Sequence, residues 1–93
     1  MIKSFANTIA ELAFARRYAK RVPADVMDVA YRKLVQLHNA RDLNDLRAPP
    51  GNRLEALRAD RMGQHSIRVN DKWRVCFRWS DGHAYDVEIV DYH

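Results

Sequence analysis

The groups able to move a proton or hold a phosphate gather in the last third of the chain. It ends in Asp91-Tyr92-His93, a carboxylate, a phenol and an imidazole in succession. The strand-like segments before that end carry Arg68, Arg74 and Arg78, all at even positions, with Arg58, Arg61 and Lys72 close to them in sequence. Positive charge beside proton-transfer groups suits phosphodiester chemistry. RNA brings its own nucleophile, the 2′-hydroxyl, so cleaving it requires only a base, an acid and cations around the phosphate. Composition and spacing alone favour simple nucleic-acid or protein binding over catalysis, because a terminal histidine is ordinarily a solvated end.

Other chemistries find less support. His38, His65, His83 and His93 lack close paired spacing, and none joins a cysteine in a zinc pattern; Asp91-x-His93 is the single local pair of possible ligands. With three glycines, no phosphate-cradling loop and no Gly-x-Ser-x-Gly turn, neither a metal nor a nucleotide cofactor is expected. Cys76, the one cysteine, excludes an internal disulfide and fits a reducing compartment; it reads as a small, inert strand residue.

The elements that must position these groups are legible from period. Ile67 and Val69, then Trp73, Val75, Phe77 and Trp79, then Tyr85, Val87 and Ile89 alternate with polar or charged residues, the pattern of a β-meander with one buried face. Taking Ser80-Asp81-Gly82 as a three-residue turn sets Trp79 opposite His83, Phe77 opposite Tyr85, Val75 opposite Val87 and Arg74 opposite Glu88. Taking Asn70-Asp71-Lys72 as the first loop pairs Val69 with Trp73 and Arg68 with Arg74. Facing arginines repel unless an anion lies between them. Glu88 is one such anion and a ligand phosphate is another.

Upstream, Met1 to Phe5 reads as a short edge strand. Asn7 or Thr8 caps a helix through Ile9, Leu12, Ala13 and Phe14, with Arg16, Arg17 and Lys20 in its later turns, and Pro23 ends that element. A second helix starts at Ala24-Asp25 and runs to about Ala40, with Val26, Ala30, Leu34 and Leu37 as its stripe against the sheet. Arg41 to Arg47 makes one further turn on Leu43 and Leu46. Pro49-Pro50-Gly51 breaks the chain, and Arg53 to Leu57 is a short strand followed by the basic loop Arg58 to Gly63. The expectation is one α+β domain over residues 1–93, with two N-terminal helices on one face of a curved, mostly antiparallel sheet. Its net charge of +4, carried mostly by arginine, leans weakly towards a polyanion partner. No secretory or membrane-spanning pattern is present, so a cytoplasmic protein is expected.

Met1-Ile2-Lys3-Ser4-Phe5, Leu54-Glu55-Ala56-Leu57-Arg58-Ala59-Asp60, Ser66-Ile67-Arg68-Val69-Asn70, Trp73-Arg74-Val75-Cys76-Phe77 and the terminal Asp91-Tyr92-His93 resemble, in order and spacing, the HigB toxins of the RelE/ParE superfamily. The resemblance covers essentially the whole chain. It implies a type II toxin that cleaves mRNA on the ribosome, neutralised by a HigA-type helix-turn-helix antitoxin and touching DNA only through that partner. It assigns proton transfer to His93 and Tyr92, orientation of His93 to Asp91, and phosphorane stabilisation to Arg74. Arg58, Arg61, Arg68, Lys72 and Arg78 then hold flanking phosphates or ribosomal RNA. The chain departs from its relatives at Glu55, where the Leu-His-Pro-Leu strand of well-studied members has histidine. Glu55 is a candidate replacement base, although a carboxylate beside arginines is a poorer one. The same departure favours the runner-up, a superfamily toxin that poisons a protein target such as gyrase, or a degenerate one that only binds its antitoxin.

Overall fold

A computed structural model describes residues Met1 to Asp91 of the chain. Tyr92 and His93, two of the candidate proton-transfer residues, lie outside the described residues. Helix α1 spans Thr8–Phe14 and α2 spans Ala24–Asn39; short 3-10 turns follow at Leu43–Arg47 and Pro50–Asn52. Strands β1 (Glu55–Ala56), β2 (Gln64–Arg68), β3 (Trp73–Ser80) and β4 (His83–Asp91) form an antiparallel sheet in the order β1-β2-β3-β4. The expected α+β arrangement is what forms. The N-terminal segment lies along the free edge of β4 through two isolated parallel bridges, Ile2 to Ala84 and Phe5 to Val87, rather than as a full strand.

The core lies between the helices and one sheet face. Val26, Met27, Ala30, Leu34 and Leu37 of α2 pack with Ile67, Val75, Phe77, Val87 and Ile89 of the strands, all buried. This is the helical stripe meeting the odd-numbered strand positions. Asn7 joins the two layers. Its Oδ1 accepts from the Ala10 amide (3.0 Å), capping α1, and its Nδ2 donates to the Ile89 carbonyl (2.9 Å).

Helix α1 is shorter than its sequence suggested. Arg16 adopts a left-handed conformation (φ 60°), its amide reaches the Ala13 carbonyl (3.1 Å), and the Arg17 amide reaches the Leu12 carbonyl (2.8 Å). That pair of bonds is a Schellman closure. Arg16, Arg17 and Lys20 therefore lie beyond the helix, not in its last turns, and the Arg16 guanidinium sits 4.7 Å from the Tyr31 ring centroid.

The second hairpin also differs. Ser80 pairs with His83, so the turn is the two-residue Asp81-Gly82, both at positive φ (51° and 80°). That is the mirror-image turn that matches strand twist. Trp79 therefore faces Ala84 and Arg78 faces Tyr85, in place of the expected Trp79–His83 and Phe77–Tyr85 pairs. The register shifts again between Cys76 and Arg78, where β4 inserts Asp86 in a left-handed conformation (φ 52°). This bulge brings Val75 opposite Ile89, Cys76 opposite Glu88 and Arg74 opposite Val90, correcting the expected Val75–Val87 and Arg74–Glu88 pairs. Ala84, not Tyr85, occupies the core face. The first hairpin forms as expected, with Arg68 opposite Arg74.

Candidate active site

Arg74 is the centre of the open sheet face, and the way it is held begins in the Pro-Pro-Gly turn. Asn52, wholly buried, donates to Gln36 Oε1 (3.0 Å), Leu46 O (3.2 Å) and Ala48 O (3.2 Å) and accepts from Lys33 Nζ (2.6 Å). Every polar atom of its side chain is engaged, so the turn is pinned to α2. Burial, with Arg32 and Arg68 nearby, lowers the pKa of Lys33. Arg53, next in the chain, takes a left-handed conformation (φ 45°), and its carbonyl accepts from Arg74 Nη2 at 2.7 Å.

The other contacts of Arg74 complete its orientation. Nε donates to the buried Ser66 hydroxyl at 2.8 Å, and Nη2 lies 3.6 Å from Glu55 Oε1. The Arg74 side chain is only 13% exposed. Nη1 donates to no acceptor among the described residues. The guanidinium is therefore fixed by groups behind it and keeps donors unspent, which suits it to charge that develops on a bound phosphate.

The pairing of Arg68 with Arg74 is resolved without a ligand. Arg68 turns away to an ion pair with Asp71 in the first hairpin, while Arg74 turns towards Ser66 and Glu55. Glu88, expected opposite Arg74 as one of two possible anions for the arginine pair, instead lies opposite Cys76 and pairs with Arg61, which also donates to Gln64 Oε1 at 3.1 Å. The anion beside Arg74 is Glu55, brought there because β1 sets Glu55 opposite Ser66. Ser66 and the Arg53 carbonyl are the parts of the site that sequence reasoning missed. Ser66 shares the even face of Arg74, and that parity was the available signal; nothing local marks Arg53 for a left-handed conformation.

The remaining cations ring the face. Arg78, half-exposed, lies 3.5 Å from Asp86 and passes so close to Gly63 that a Cβ there would meet its Nη1 at 3.1 Å. Lys72 is 4.0 Å from Asp91, whose strand position faces Trp73. Arg58 is exposed at the start of the β1–β2 connection. The structure thus brings Glu55 and Arg74 into contact and sets Arg61, Arg68 and Arg78 on the same face, each with an acidic partner. Cys76 is buried among them, and burial raises its thiol pKa, so it is no nucleophile. Among the described residues no three His, Cys, Asp or Glu side chains cluster as metal ligands, and no helix is long and apolar enough to cross a membrane.

A family model describing the RelE-like toxin HigB of type II toxin–antitoxin systems matches residues 3–93. Toxin HigB-1 of Vibrio cholerae is 44% identical over 68 residues, covering 73% of this chain and 72% of that protein. Endoribonuclease HigB of Proteus vulgaris is 33% identical over 93 residues, the whole of both chains. Two solved structures share the fold: YafQ from E. coli strain BL21(DE3), with a TM-score of 0.65 at 14% identity over 98% of this chain and 91% of that one, and the YoeB/ParE toxin from Agrobacterium tumefaciens, with a TM-score of 0.56 at 15% identity over 99% and 98%. With a matched family model over nearly its full length and relatives at this level of identity, the chain belongs to the HigB-like family of RelE-like toxins from type II toxin–antitoxin systems.

Proposed function

We propose that this toxin is an mRNA endonuclease that acts on message held in the ribosome, as a single domain over residues 1–93. The observation that carries the reading is Arg74, held from behind by Ser66 and the Arg53 carbonyl with its Nη1 donors unspent, on an open face ringed by arginines. The relative from Proteus vulgaris that matches end to end is named an endoribonuclease, which supports the same activity here. In the reaction, the ribose 2′-hydroxyl gives its proton to a base and its oxygen bonds to phosphorus. The phosphorus–O5′ bond breaks, and an acid returns a proton to the leaving O5′, giving a 2′,3′-cyclic phosphate and a 5′-hydroxyl. Arg74 stabilises the charge on the phosphorane oxygens. His93 and Tyr92 move the protons, Asp91 orients His93, and Arg58, Arg61, Arg68, Lys72 and Arg78 hold flanking phosphates. Glu55, committed to Arg74, positions that guanidinium and leaves proton transfer to the chain end.

A type II toxin has an antitoxin as its partner; we assign that partner to the HigA helix-turn-helix type, with any contact to DNA made through it. The work is done in the cytoplasm, where ribosomes are. Mapping new mRNA 5′ ends after brief expression in cells tests the reading. Cuts within translated codons, lost in ribosome-free reactions, are expected. Growth arrest with intact mRNA overturns it and favours the second reading, a toxin acting on a protein target such as gyrase; the Glu55–Arg74 contact that partly neutralises the site is the observation on that side.

A further inference from the structure

The bulge in β4 has placed an aromatic ring where strict alternation would not. Tyr85 lies directly opposite Arg78, an exposed residue of the open face, while Ala84 beside it is fully buried opposite Trp79. Residues facing each other across an antiparallel pair share a face, so Tyr85 belongs to the arginine-bearing side. Asp86 at φ 52° is the residue that makes the switch. A non-glycine residue in that region persists only where its surroundings fix it. Here Ser4 does so: its hydroxyl accepts from the Asp86 amide (2.8 Å) and its carbonyl from the Val87 amide (3.0 Å). Bulges of this kind re-aim side chains next to functional sites.

No polar or ring contact among the described residues holds Tyr85 in its place. Tyr85 is half-buried, its hydroxyl makes no hydrogen bond among the described residues, and it takes part in none of their ring–ring or cation–ring contacts. Its surroundings are polar and charged: Arg78 across the strand, 3.5 Å from Asp86, with Gln64 beyond it, and the Arg61–Glu88 pair in the next row. A part-exposed aromatic ring beside arginines on an open sheet is the combination that binds single-stranded RNA, the cations taking phosphates and the ring taking a base.

We propose that Tyr85 is a base-stacking residue, packing against one unpaired nucleobase of the mRNA beside the scissile phosphate. The proposal rests on the endonuclease reading above for its substrate. Arg78 lies four residues along β3 from Arg74, about 13 Å at the usual rise per residue. Tyr85 accordingly addresses the base of a neighbouring nucleotide and takes no part in bond making. The ring's flat apolar face, not its hydroxyl, is the working group, so phenylalanine or tryptophan serves equally.

The test uses the full-length protein and ribosomes programmed with mRNA carrying 2-aminopurine at one codon-region position at a time, with a 2′-O-methyl group blocking cleavage. Wild type, Tyr85→Phe and Tyr85→Trp are expected to quench the fluorophore at one position, and Tyr85→Leu to leave it bright. In single-turnover cleavage of unblocked mRNA, Tyr85→Leu should raise the half-saturating toxin concentration about 5- to 150-fold, the range for losing one stacked base, at an unchanged maximal rate. An abasic site at the quenched position should cost the wild type the same and the variant nothing further. Absence of quenching at every position with wild type overturns the proposal whether or not Tyr85→Leu folds, as does a Tyr85→Leu protein that saturates like wild type. Cleavage without quenching refutes the stacking alone; quenching without cleavage when the block is removed refutes the endonuclease reading and leaves the stacking standing.

Discussion

Replacing Glu55 by glutamine separates two roles that differ by orders of magnitude. Glu55 Oε1 is 3.6 Å from Arg74 Nη2, and the Glu55 side chain is 51% exposed. At that separation the bare attraction is about 5 kcal/mol for an effective dielectric near 20, but solvent at so open a site reduces such pairs to under about 1 kcal/mol. Glu55→Gln keeps the shape and removes the charge, while Arg74 retains the Ser66 hydroxyl and the Arg53 carbonyl. The expected cost is therefore less than about 1 kcal/mol in stability and within about fivefold in cleavage, in either direction. Loss of a working general base costs about 100- to 10,000-fold instead. Single-turnover cleavage of a short mRNA on programmed ribosomes reads the difference, with His93→Ala as the inactive reference. A loss of 100-fold or more in Glu55→Gln, with ribosome binding intact, refutes the positioning role given to Glu55 and makes it the base.

Two predictions concern the fold that carries the site. Phe77, wholly buried between α2 and the sheet, should cost about 3–5 kcal/mol when replaced by alanine, a large share of a small domain's stability, so urea or thermal unfolding should show Phe77→Ala largely unfolded at 37 °C; a folded variant within about 1 kcal/mol of wild type contradicts the core assignment. His65 stacks on Phe77 at 6.1 Å between ring centroids, its Nδ1 is buried without a partner among the described residues, and burial lowers its pKa. The unfolded chain therefore takes up this proton before the folded one as pH falls through the ordinary histidine range near about 6.5, so this contribution to stability is present above that range and lost below it. The urea midpoint should fall between about pH 7.5 and 5.5, and fall less in His65→Gln; equal slopes contradict the assignment.

Much of this was legible in the sequence, for identifiable reasons. Val26, Ala30, Leu34 and Leu37 form a helical stripe against an extensive core, so α2 appears over nearly the expected residues. The first hairpin register followed from keeping Ile67 and Val75 on one face, and it places Arg68 opposite Arg74. The second failed at two places. Asp86 in a left-handed conformation inserts an extra position that no period-two reading contains, and the Asp81-Gly82 turn is one residue shorter than expected. Those two shifts moved Tyr85 out of the core and Glu88 away from Arg74. The end of α1 was missed because arginine, not glycine, fills the left-handed closing position at Arg16. In the candidate site, residue types and parity put Arg74 forward, and its position opposite Arg68 is as expected. Its anchors are the Ser66 hydroxyl on β2, the Glu55 carboxylate beyond it on β1 and the Arg53 carbonyl, the last placed by the buried Asn52 turn rather than by local pattern.

The most direct measurement is the cleavage rate of ribosome-bound mRNA by Arg74→Ala beside wild type, with circular dichroism on both. The Arg74 side chain leaves β3 on the face opposite the Val75 and Phe77 core, so the spectrum should be preserved, and removing a preorganised donor to the developing phosphorane charge should slow single-turnover cleavage about 100- to 1,000-fold. A folded Arg74→Ala protein that cuts at the wild-type rate contradicts the account, as does a wild-type protein that leaves the message intact.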